Sequence, residues 1–345
     1  MAEVGKLSAS KITTYKGCSF AYFLNYVQHE RVPSNFRLVA DKGIHYMLDK
    51  FYKVNYKSPE SFGRFWNWYW FREVAGEGIK GKAREKLEIE EVKYMGKNKE
   101  TGKREEKIIR IGNHINFGMG DPEMKKGIVF GYMKMGNSML QDFHRRMRKK
   151  TVIDGIEKEI TITPLCHEQG FGVKKADNIE IAGHSVRGVF DRIDEKNGKY
   201  WIADYKTDKH SPQENSFVLH RNIQFTLYSN VFRQIYGKEE DAILYYHLRS
   251  DTLLKTHRSE KDYDYLKHIL DEVADGITQN KFTPFYGFHC NFCDLKTACE
   301  KYSIKHHGGP RLDLDNKIMS AERFTEWDED VPEEADWTLA GVEER

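Results

Sequence analysis

Two neighbouring stretches decide the fold: GVFDRID at 188–194 and IADYKT at 202–207. Each reads as a β-strand, and Asn197-Gly198 between them is the strongest short-range signal for a hairpin. Asp204 and Lys206 are two residues apart, so both side chains point to one face of their strand. An antiparallel partner would place Asp191 beside them. Two carboxylates can hold a hard divalent cation and an ammonium can steer a water or a phosphate, as metal-assisted phosphodiester hydrolysis requires.

An Asp-x-Lys triplet alone is weak evidence, because it occurs by chance in many proteins. The alternative is a surface ion pair of Lys206 with Asp204 or Asp191, and such pairs are common. The apolar run at 200–203 leads directly into Asp204 and places these charges at the end of a buried strand. Charges in that position cost free energy unless they are paired or bind a metal.

A second pair of polar residues follows on a predicted helix over Leu219 to Tyr236. Gln224 and Tyr228 are four residues apart and share one helix face. An amide and a phenol there can hold a phosphate, a nucleotide edge or the side chain of Lys206. The alternative is a half-buried tyrosine beside an exposed glutamine.

Four of the five cysteines form a pattern with metal-ligand spacing. Cys290, Cys293 and Cys299 follow the spacing Cys-x2-Cys-x5-Cys, which suits one metal centre. Cys18, in an aromatic-rich setting near the other chain end, is the best candidate for a fourth ligand. Zinc held by these thiols, with His289 taking part, is the alternative. Cys166 reads as a plain thiol.

Composition argues for a globular protein outside the membrane. The chain has 345 residues, 55 Lys and Arg against 53 Asp and Glu, and a net charge of +2. No apolar run approaches the roughly 18 residues of a membrane span, and residues 1–6 lack the apolar core of a signal peptide. We therefore expect a cytoplasmic protein with no membrane contact. Basic clusters at 80–110 and 145–150 and an acidic stretch at 328–345 suit a basic face for a polyanion.

Hydrophobic periodicity predicts strands packed between helices, and hence a mixed α/β core. We expect one helix from Ser8 or Ser10 through Cys18 into the aromatic run ending at Tyr26, and a second over Val39 to Tyr52 with His45 at the edge of its apolar stripe. From these patterns we predict five segments. They are N-terminal helices at 1–55, a largely helical, basic and aromatic insertion at 56–150, a nuclease core at 151–280, a cysteine cluster at 281–305 and an acidic, flexible tail at 306–345.

The ordered motifs resemble those of the PD-(D/E)xK nuclease superfamily. The similarity is to its RecB-like branch with an iron–sulfur cluster, which includes the AddB nuclease domain and CRISPR-associated exonucleases. It covers about 8–55 and 155–305. The motifs that carry it are SASKITTYKGC at 8–18, GIH at 43–45, GVFD at 188–191, DYK at 204–206, Gln224-x-x-x-Tyr228 and the terminal cysteines. Two features depart from the usual pattern: Ser19 follows Cys18 where relatives commonly have proline, and the second acid is Asp204 where they often have glutamate.

The resemblance implies a restriction-endonuclease-like core, a central mixed sheet flanked by helices, with the insertion and an iron–sulfur staple added. It implies that His45, Asp191, Asp204 and the Tyr205 carbonyl ligate Mg²⁺ or Mn²⁺. Lys206 would orient or help deprotonate the attacking water, and Gln224 and Tyr228 would position the lysine and the DNA. Cys18, Cys290, Cys293 and Cys299 would bind a [4Fe–4S] cluster of structural role.

For His45 the alternative is a satisfied, partly buried histidine; if it does ligate, we expect a preference for Mn²⁺, since imidazole suits Mg²⁺ poorly.

These expectations describe a metal-dependent DNA exonuclease that acts on single strands or duplex ends, in recombination, repair or CRISPR-type processing. Its partners would be DNA and, in some settings, a helicase or recombination protein or further copies of the chain. The rival interpretations are a catalytically silent nucleic-acid-binding scaffold and a zinc protein that interacts with DNA.

Overall fold

The computed structural model describes residues 3–307 apart from Arg31, Asn55, Lys57, 98–100, Met119, 154–155, 162–163, 175–177, 214–215 and Tyr286. The chain divides into two compact units. The first combines Met1–Val32 with Ile162–Leu314, and the second contains Pro33–Thr161. The predicted segment 1–55 is thus shared between the units, and all but two residues of the predicted tail at 306–345 lie outside the described residues.

The helices and strands alternate along much of the chain. In chain order the α-helices are α1 Ala9–Gly17, α2 Ser19–Tyr22, α3 Phe36–Lys53, α4 Pro59–Val74, α5 Lys82–Glu85, α6 Pro122–Met147, α7 Phe217–His220, α8 Ile223–Tyr236, α9 Glu260–Thr278 and α10 Lys296–His307. The strands are β1 Ser34–Asn35, β2 Ile89–Lys97, β3 Arg104–Gly112, β4 Ile115–Asn116, β5 Arg148–Ile153, β6 Ile156–Thr161, β7 Cys166–Phe171, β8 Glu180–Ile181, β9 His184–Ser185, β10 Gly188–Lys196, β11 Lys199–Lys206, β12 Ala242–His247 and β13 Thr252–Thr256.

A five-stranded mixed sheet forms the centre of the first unit, with the strand order β13-β12-β11-β10-β7. β11 and β12 are parallel, and the other neighbouring pairs are antiparallel. The chain crosses from β11 to β12 through α7 and α8, as a parallel pair requires. Every residue of β12 is buried, which explains its uninterrupted apolar run. The predicted α/β core with a mixed sheet is confirmed.

The turn between β10 and β11 is the predicted two-residue hairpin. Lys196 pairs with Lys199, which leaves Asn197 and Gly198 as the only residues of the loop. Their φ angles are +56° and +75°, and a type I′ turn requires positive φ at both central positions. Asparagine tolerates this conformation and glycine adopts it without a steric cost, so the local sequence fixes the register of the two strands.

The expected single N-terminal helix is wrong in one respect, because it breaks at Cys18. Ser8 caps α1 as predicted, through its side chain on the Lys11 amide. Cys18 has extended backbone angles (φ −159°, ψ 104°), and α2 starts after it, followed by a π-helical turn at Phe23–Val27. Cys18 thus lies at a junction between two helical segments, where its amide still donates to the Thr14 carbonyl at 2.9 Å and its carbonyl accepts from the Tyr22 amide at 3.1 Å.

The second unit is built on long helices and a β-ribbon. Trp66 and Trp70 of α4 are fully buried and donate their indole N–H groups to the carbonyls of Met133 and Val129 on α6, at 2.9 and 2.8 Å. Buried indoles need such acceptors, so these bonds fix how the two helices pack. β2 and β3 form an antiparallel ribbon that carries the basic segment. Among the described residues, none of the helices is long and apolar enough to cross a membrane.

Candidate active site

Three carboxylates lie in one row across the central sheet of the first unit. Phe190 pairs with Gln169 and Arg192 with His167, so the register places Asp191 opposite Glu168. Arg192 also pairs with Ala203, which places Asp191 opposite Asp204 on its other side. Residues opposite each other share a face of the sheet. The row therefore directs the side chains of Glu168, Asp191 and Asp204 to the same side.

The carboxylates of the row are close and shielded from water. A carboxylate oxygen of Glu168 lies within 4.8 Å of one of Asp191. Asp204 is 0% exposed and Asp191 8% exposed. The backbone amide of Tyr205 donates to Asp191 Oδ2 at 2.8 Å, which ties the two central strands together at the row. Glu168 has a φ of +46°, a backbone conformation that non-glycine residues seldom adopt and that concentrates at functional sites.

Lys206 follows Asp204 by two residues on β11, so its side chain lies on the same side of the sheet as the row. Its Nζ lies 2.7 Å from Asp204 Oδ2 and donates to Gln224 Oε1 at 3.1 Å. Gln224 in turn donates through Nε2 to Asp204 Oδ1 at 2.8 Å and to Tyr228 Oη at 3.1 Å. The structure thus brings Asp204, Lys206, Gln224 and Tyr228 into one hydrogen-bonded group, with Asp191 opposite Asp204 in the row.

Tyr228 is held against the sheet by the residues around Gly188. A Cβ at Gly188 would lie 2.5 Å from Phe171 Cζ and 3.1 Å from Tyr228 Cε1, so only glycine permits this packing. The Tyr228 ring meets Phe171 and Phe190 edge-on, with centroids 5.7 and 5.4 Å apart. Burial raises the pKa of Tyr228, and the charges of Asp204 and Asp191 raise it further. The hydroxyl is therefore neutral at physiological pH.

The donor set suits a hard divalent cation. Three carboxylates in a row repel one another, and burial of ionised carboxylates costs free energy unless positive charge compensates them. Lys206 supplies one positive charge where the row carries up to three negative ones. Oxygen ligands from carboxylates are those that Mg²⁺ and Mn²⁺ prefer. The row can therefore hold such an ion.

The other two predicted metal ligands are His45 and the carbonyl of Tyr205. Tyr205 lies between Asp204 and Lys206, with its side chain 1% exposed and its hydroxyl accepting from Arg192 Nη1 at 3.2 Å. His45 is half-buried on α3, in the second unit, with Nε2 3.9 Å from Asp41 Oδ1. The site described above is built from the first unit.

Glu168 is not among the residues predicted from the sequence. It stands in the strand CHEQGF at 166–171, which has no apolar alternation that would mark it as part of a central sheet. The one signal in the sequence is an acid in a strand that precedes the β10–β11 hairpin. Its importance follows only from the register of β7 against β10, which is a non-local property.

The four predicted cysteine ligands surround a single cavity in the first unit. The cavity has a volume of about 60 Å³, and its lining includes Cys18, Cys290, Cys293 and Cys299 together with His289. Burial raises the pKa of the Cys293 thiol, and the neighbouring Cys18 and Cys290 raise it further. All four thiols are free of disulfide bonds. Four thiols around one cavity match the donor set of an iron–sulfur or zinc centre.

Comparison with known proteins identifies the family. The family model described as the PD-(D/E)XK nuclease superfamily matches residues 6–300. A solved chain described as "Crystal structure of SSO0001" is 16% identical with a TM-score of 0.25, and the match covers 39% of this chain and 60% of that one. No curated protein matches. Because the family match spans most of the chain, including the carboxylate row, Lys206 and all four predicted cysteine ligands, this chain belongs to the PD-(D/E)XK nuclease superfamily.

Proposed function

We propose that the chain is a metal-dependent DNA exonuclease that hydrolyses phosphodiester bonds in single strands or at duplex ends. Superfamily membership implies a nuclease with a DNA substrate, and nucleases of this kind typically use Mg²⁺ or Mn²⁺. The observation that carries the proposal is the carboxylate row of Glu168, Asp191 and Asp204 with the ammonium of Lys206 beside it. Its exonuclease character rests on the resemblance of the motifs to the RecB-like branch.

The residues of the row divide the chemistry between them. A bound Mg²⁺ or Mn²⁺ supplies Lewis-acid polarisation of the scissile phosphate and lowers the pKa of a bound water. Asp191 and Asp204 hold the ion, and Glu168 adds a third carboxylate. Lys206, fixed by Asp204 and Gln224, orients the attacking water and stabilises negative charge that develops on the phosphate. Tyr228, neutral and buried, holds Gln224 in place.

Two further ligands and a second cofactor belong to the proposal. His45 and the Tyr205 carbonyl complete the metal ligands, as the resemblance implies. Cys18, Cys290, Cys293 and Cys299 hold a [4Fe–4S] cluster, and the cavity that these four thiols line supports this assignment. The cluster links chain segments that are far apart in sequence, so its role is structural. A helicase or recombination partner, self-association and a cytoplasmic location remain part of the proposal.

The experiment is the degradation of end-labelled single- and double-stranded DNA by anaerobically purified protein with Mn²⁺. Lys206→Ala should lose cleavage, because the group that orients the water and offsets charge is gone. Lys199→Ala is the matched control: it removes an exposed lysine from the opposite end of the same strand, where the side chain is 66% exposed. Cleavage by wild type and Lys199→Ala, with loss in Lys206→Ala, is the expected result.

The same preparations separate the rival functions. Cleavage by all three proteins would place hydrolysis elsewhere, or in a contaminant. Binding of DNA without cleavage by any of them would favour the scaffold. A brown preparation indicates iron–sulfur, and a colourless one containing zinc favours the zinc protein. The ladder of products gives the polarity of digestion and tells exonuclease from endonuclease.

A further inference from the structure

The segment that joins β11 to α8 borders the candidate active site at both of its ends. β11 ends at Lys206, and α8 begins one residue before Gln224, whose amide contacts both Lys206 and Asp204. The first part of the segment is also tied down: Asp208 accepts a hydrogen bond from the Tyr245 hydroxyl at 3.3 Å, and its backbone carbonyl lies 2.7 Å from His247 Nε2. Both ends of the segment therefore lie at the residues around the carboxylate row.

The short helix α7 lies in that segment and exposes an aromatic side chain. Leu219 is 1% exposed and packs into the core, whereas Phe217 is 74% and Val218 68% exposed. Burying a phenylalanine is worth about 1.5–3 kcal/mol, and the folded chain forgoes this at Phe217. Single exposed apolar residues are common, so this exposure is informative only because Phe217 belongs to a segment whose two ends lie at the site.

A cation lies over the exposed ring, and the helix that carries the ring is anchored to the core. The guanidinium of Arg221 lies over it, with Cζ 4.9 Å from the ring centroid. α7 is itself anchored by the buried Arg258, whose Nη2 donates to the carbonyls of Leu219 and Asn222 at 3.3 and 3.4 Å. Arg258 Nε also donates to Thr226 Oγ1 on α8 at 2.9 Å. One side chain thus joins α7 to the helix that carries Gln224.

We infer that Phe217, with Arg221 on its ring, is a platform on which an unpaired nucleobase of the substrate strand stacks beside the active site. This inference rests on the proposed function. The occupant is a nucleobase because the polymer that a phosphodiesterase holds at the row presents bases next to its phosphates. Base–aromatic stacking tolerates any sequence, and a cation beside the ring attracts the strand. A duplex hides its base faces, so the platform favours single strands and frayed ends.

The test measures the binding of two single-stranded oligonucleotides, one with bases and one of abasic residues, by fluorescence anisotropy in Ca²⁺. Phe217→Leu keeps apolar surface but removes the aromatic face, and we expect about five- to tenfold weaker binding of the strand with bases. Binding of the abasic strand should not change. Phe217→Trp should keep wild-type affinity. Tyr265→Ala is the matched control, since Tyr265 is an exposed aromatic (50%) on α9.

The outcomes test the stacking platform independently of the proposed nuclease activity. The platform is overturned if Phe217→Leu weakens the binding of both oligonucleotides equally, or of neither. It is also overturned if the wild-type protein binds neither oligonucleotide. If cleavage depends on Lys206 but the affinity for DNA does not depend on Phe217, the nuclease proposal stands and the platform is wrong. Binding that depends on Phe217 and on bases, without cleavage, keeps the platform and removes the nuclease.

Discussion

Gln224 connects three of the residues around the carboxylate row. Its amide oxygen accepts from Lys206, and its amide nitrogen donates to Asp204 and Tyr228. Only a side chain with both an acceptor and two donors can make these bonds at once. The sequence predicts that Gln224 and Tyr228 share one helix face, because they are four residues apart. The bonds themselves depend on how α8 packs on the sheet.

Replacing this amide by a carboxylate should therefore disrupt the site. Gln224→Glu loses both donors and places a further negative charge beside Asp204, so we expect kcat to fall about 100-fold or more. Gln234→Glu makes the same change at an exposed position of the same helix and should leave kcat unchanged. Steady-state cleavage of a labelled single strand measures both. Equal activity of the two variants would remove Gln224 from the site.

Tyr228 should affect stability at alkaline pH and leave the pH profile of activity unchanged. Its pKa is raised in the folded chain, whereas the unfolded chain releases this proton near the ordinary value of 10.0. The stabilisation is therefore complete below pH 10 and is lost as the pH rises above it. Between pH 10 and 11 the free energy of unfolding of Tyr228→Phe should fall less than that of wild type, by about 1 kcal/mol.

Denaturant unfolding at pH 8, 10 and 11 measures this difference. Tyr265→Phe, at an exposed tyrosine, should follow wild type. The activity of wild type and Tyr228→Phe should show the same alkaline limb up to pH 10, because the phenol stays protonated there. Identical losses of stability in Tyr228→Phe and wild type would contradict the raised pKa.

The β10–β11 hairpin shows which elements the sequence specifies by itself. Asn197-Gly198 sets the turn, the turn sets the register, and the register places Asp191 opposite Asp204. Each step is local, so the sequence alone predicts it. The place of Glu168 is not local, because it depends on β7 pairing with β10. The break at Cys18 was likewise hidden, since the helical pattern continues through it.

Gly188, at the start of β10, should be sensitive to the smallest enlargement. The methyl group of Gly188→Ala would meet Phe171 and Tyr228, so we expect about 1–3 kcal/mol of destabilisation and reduced cleavage as Tyr228 is displaced. Gly17→Ala is the control, because a Cβ there has nothing within 4 Å. Denaturant unfolding measures both variants. A Gly188→Ala protein as stable and active as wild type would show that Tyr228 does not depend on this packing.

At the scale of the molecule, the cysteine cavity joins the beginning of the chain to its later part. Cys18 precedes the sheet, whereas Cys290, Cys293 and Cys299 follow α9. The spacing of the last three could be read from the sequence. The aromatic setting of Cys18 makes it the candidate fourth ligand and the resemblance implies the partnership, but no local pattern links residues so far apart. A metal centre here would bind the folded chain, in which the four thiols surround one cavity, so its binding free energy would stabilise the fold.

Cys18→Ser should therefore lose iron and lower Tm by about 5 °C or more. Cys166→Ser is the matched control, since Cys166 does not line the cavity, and it should keep both iron content and Tm. Iron and sulfide analysis of anaerobic preparations, with thermal unfolding, measures the pair. Full iron content in Cys18→Ser would exclude Cys18 as a ligand, and zinc in place of iron would replace the cluster assignment.

The most direct measurement is the rate of DNA cleavage as a function of Mn²⁺ concentration for wild type, Asp204→Asn, Glu168→Gln and Glu195→Gln. Glu195 lies on the same hairpin outside the row and accepts from the turn amide of Gly198, so its variant is the control. If the carboxylate row holds the metal, Asp204→Asn should be inactive at every concentration. Glu168→Gln should need roughly 10- to 100-fold more Mn²⁺, and Glu195→Gln should match wild type. Unchanged Mn²⁺ dependence in Asp204→Asn would contradict the account.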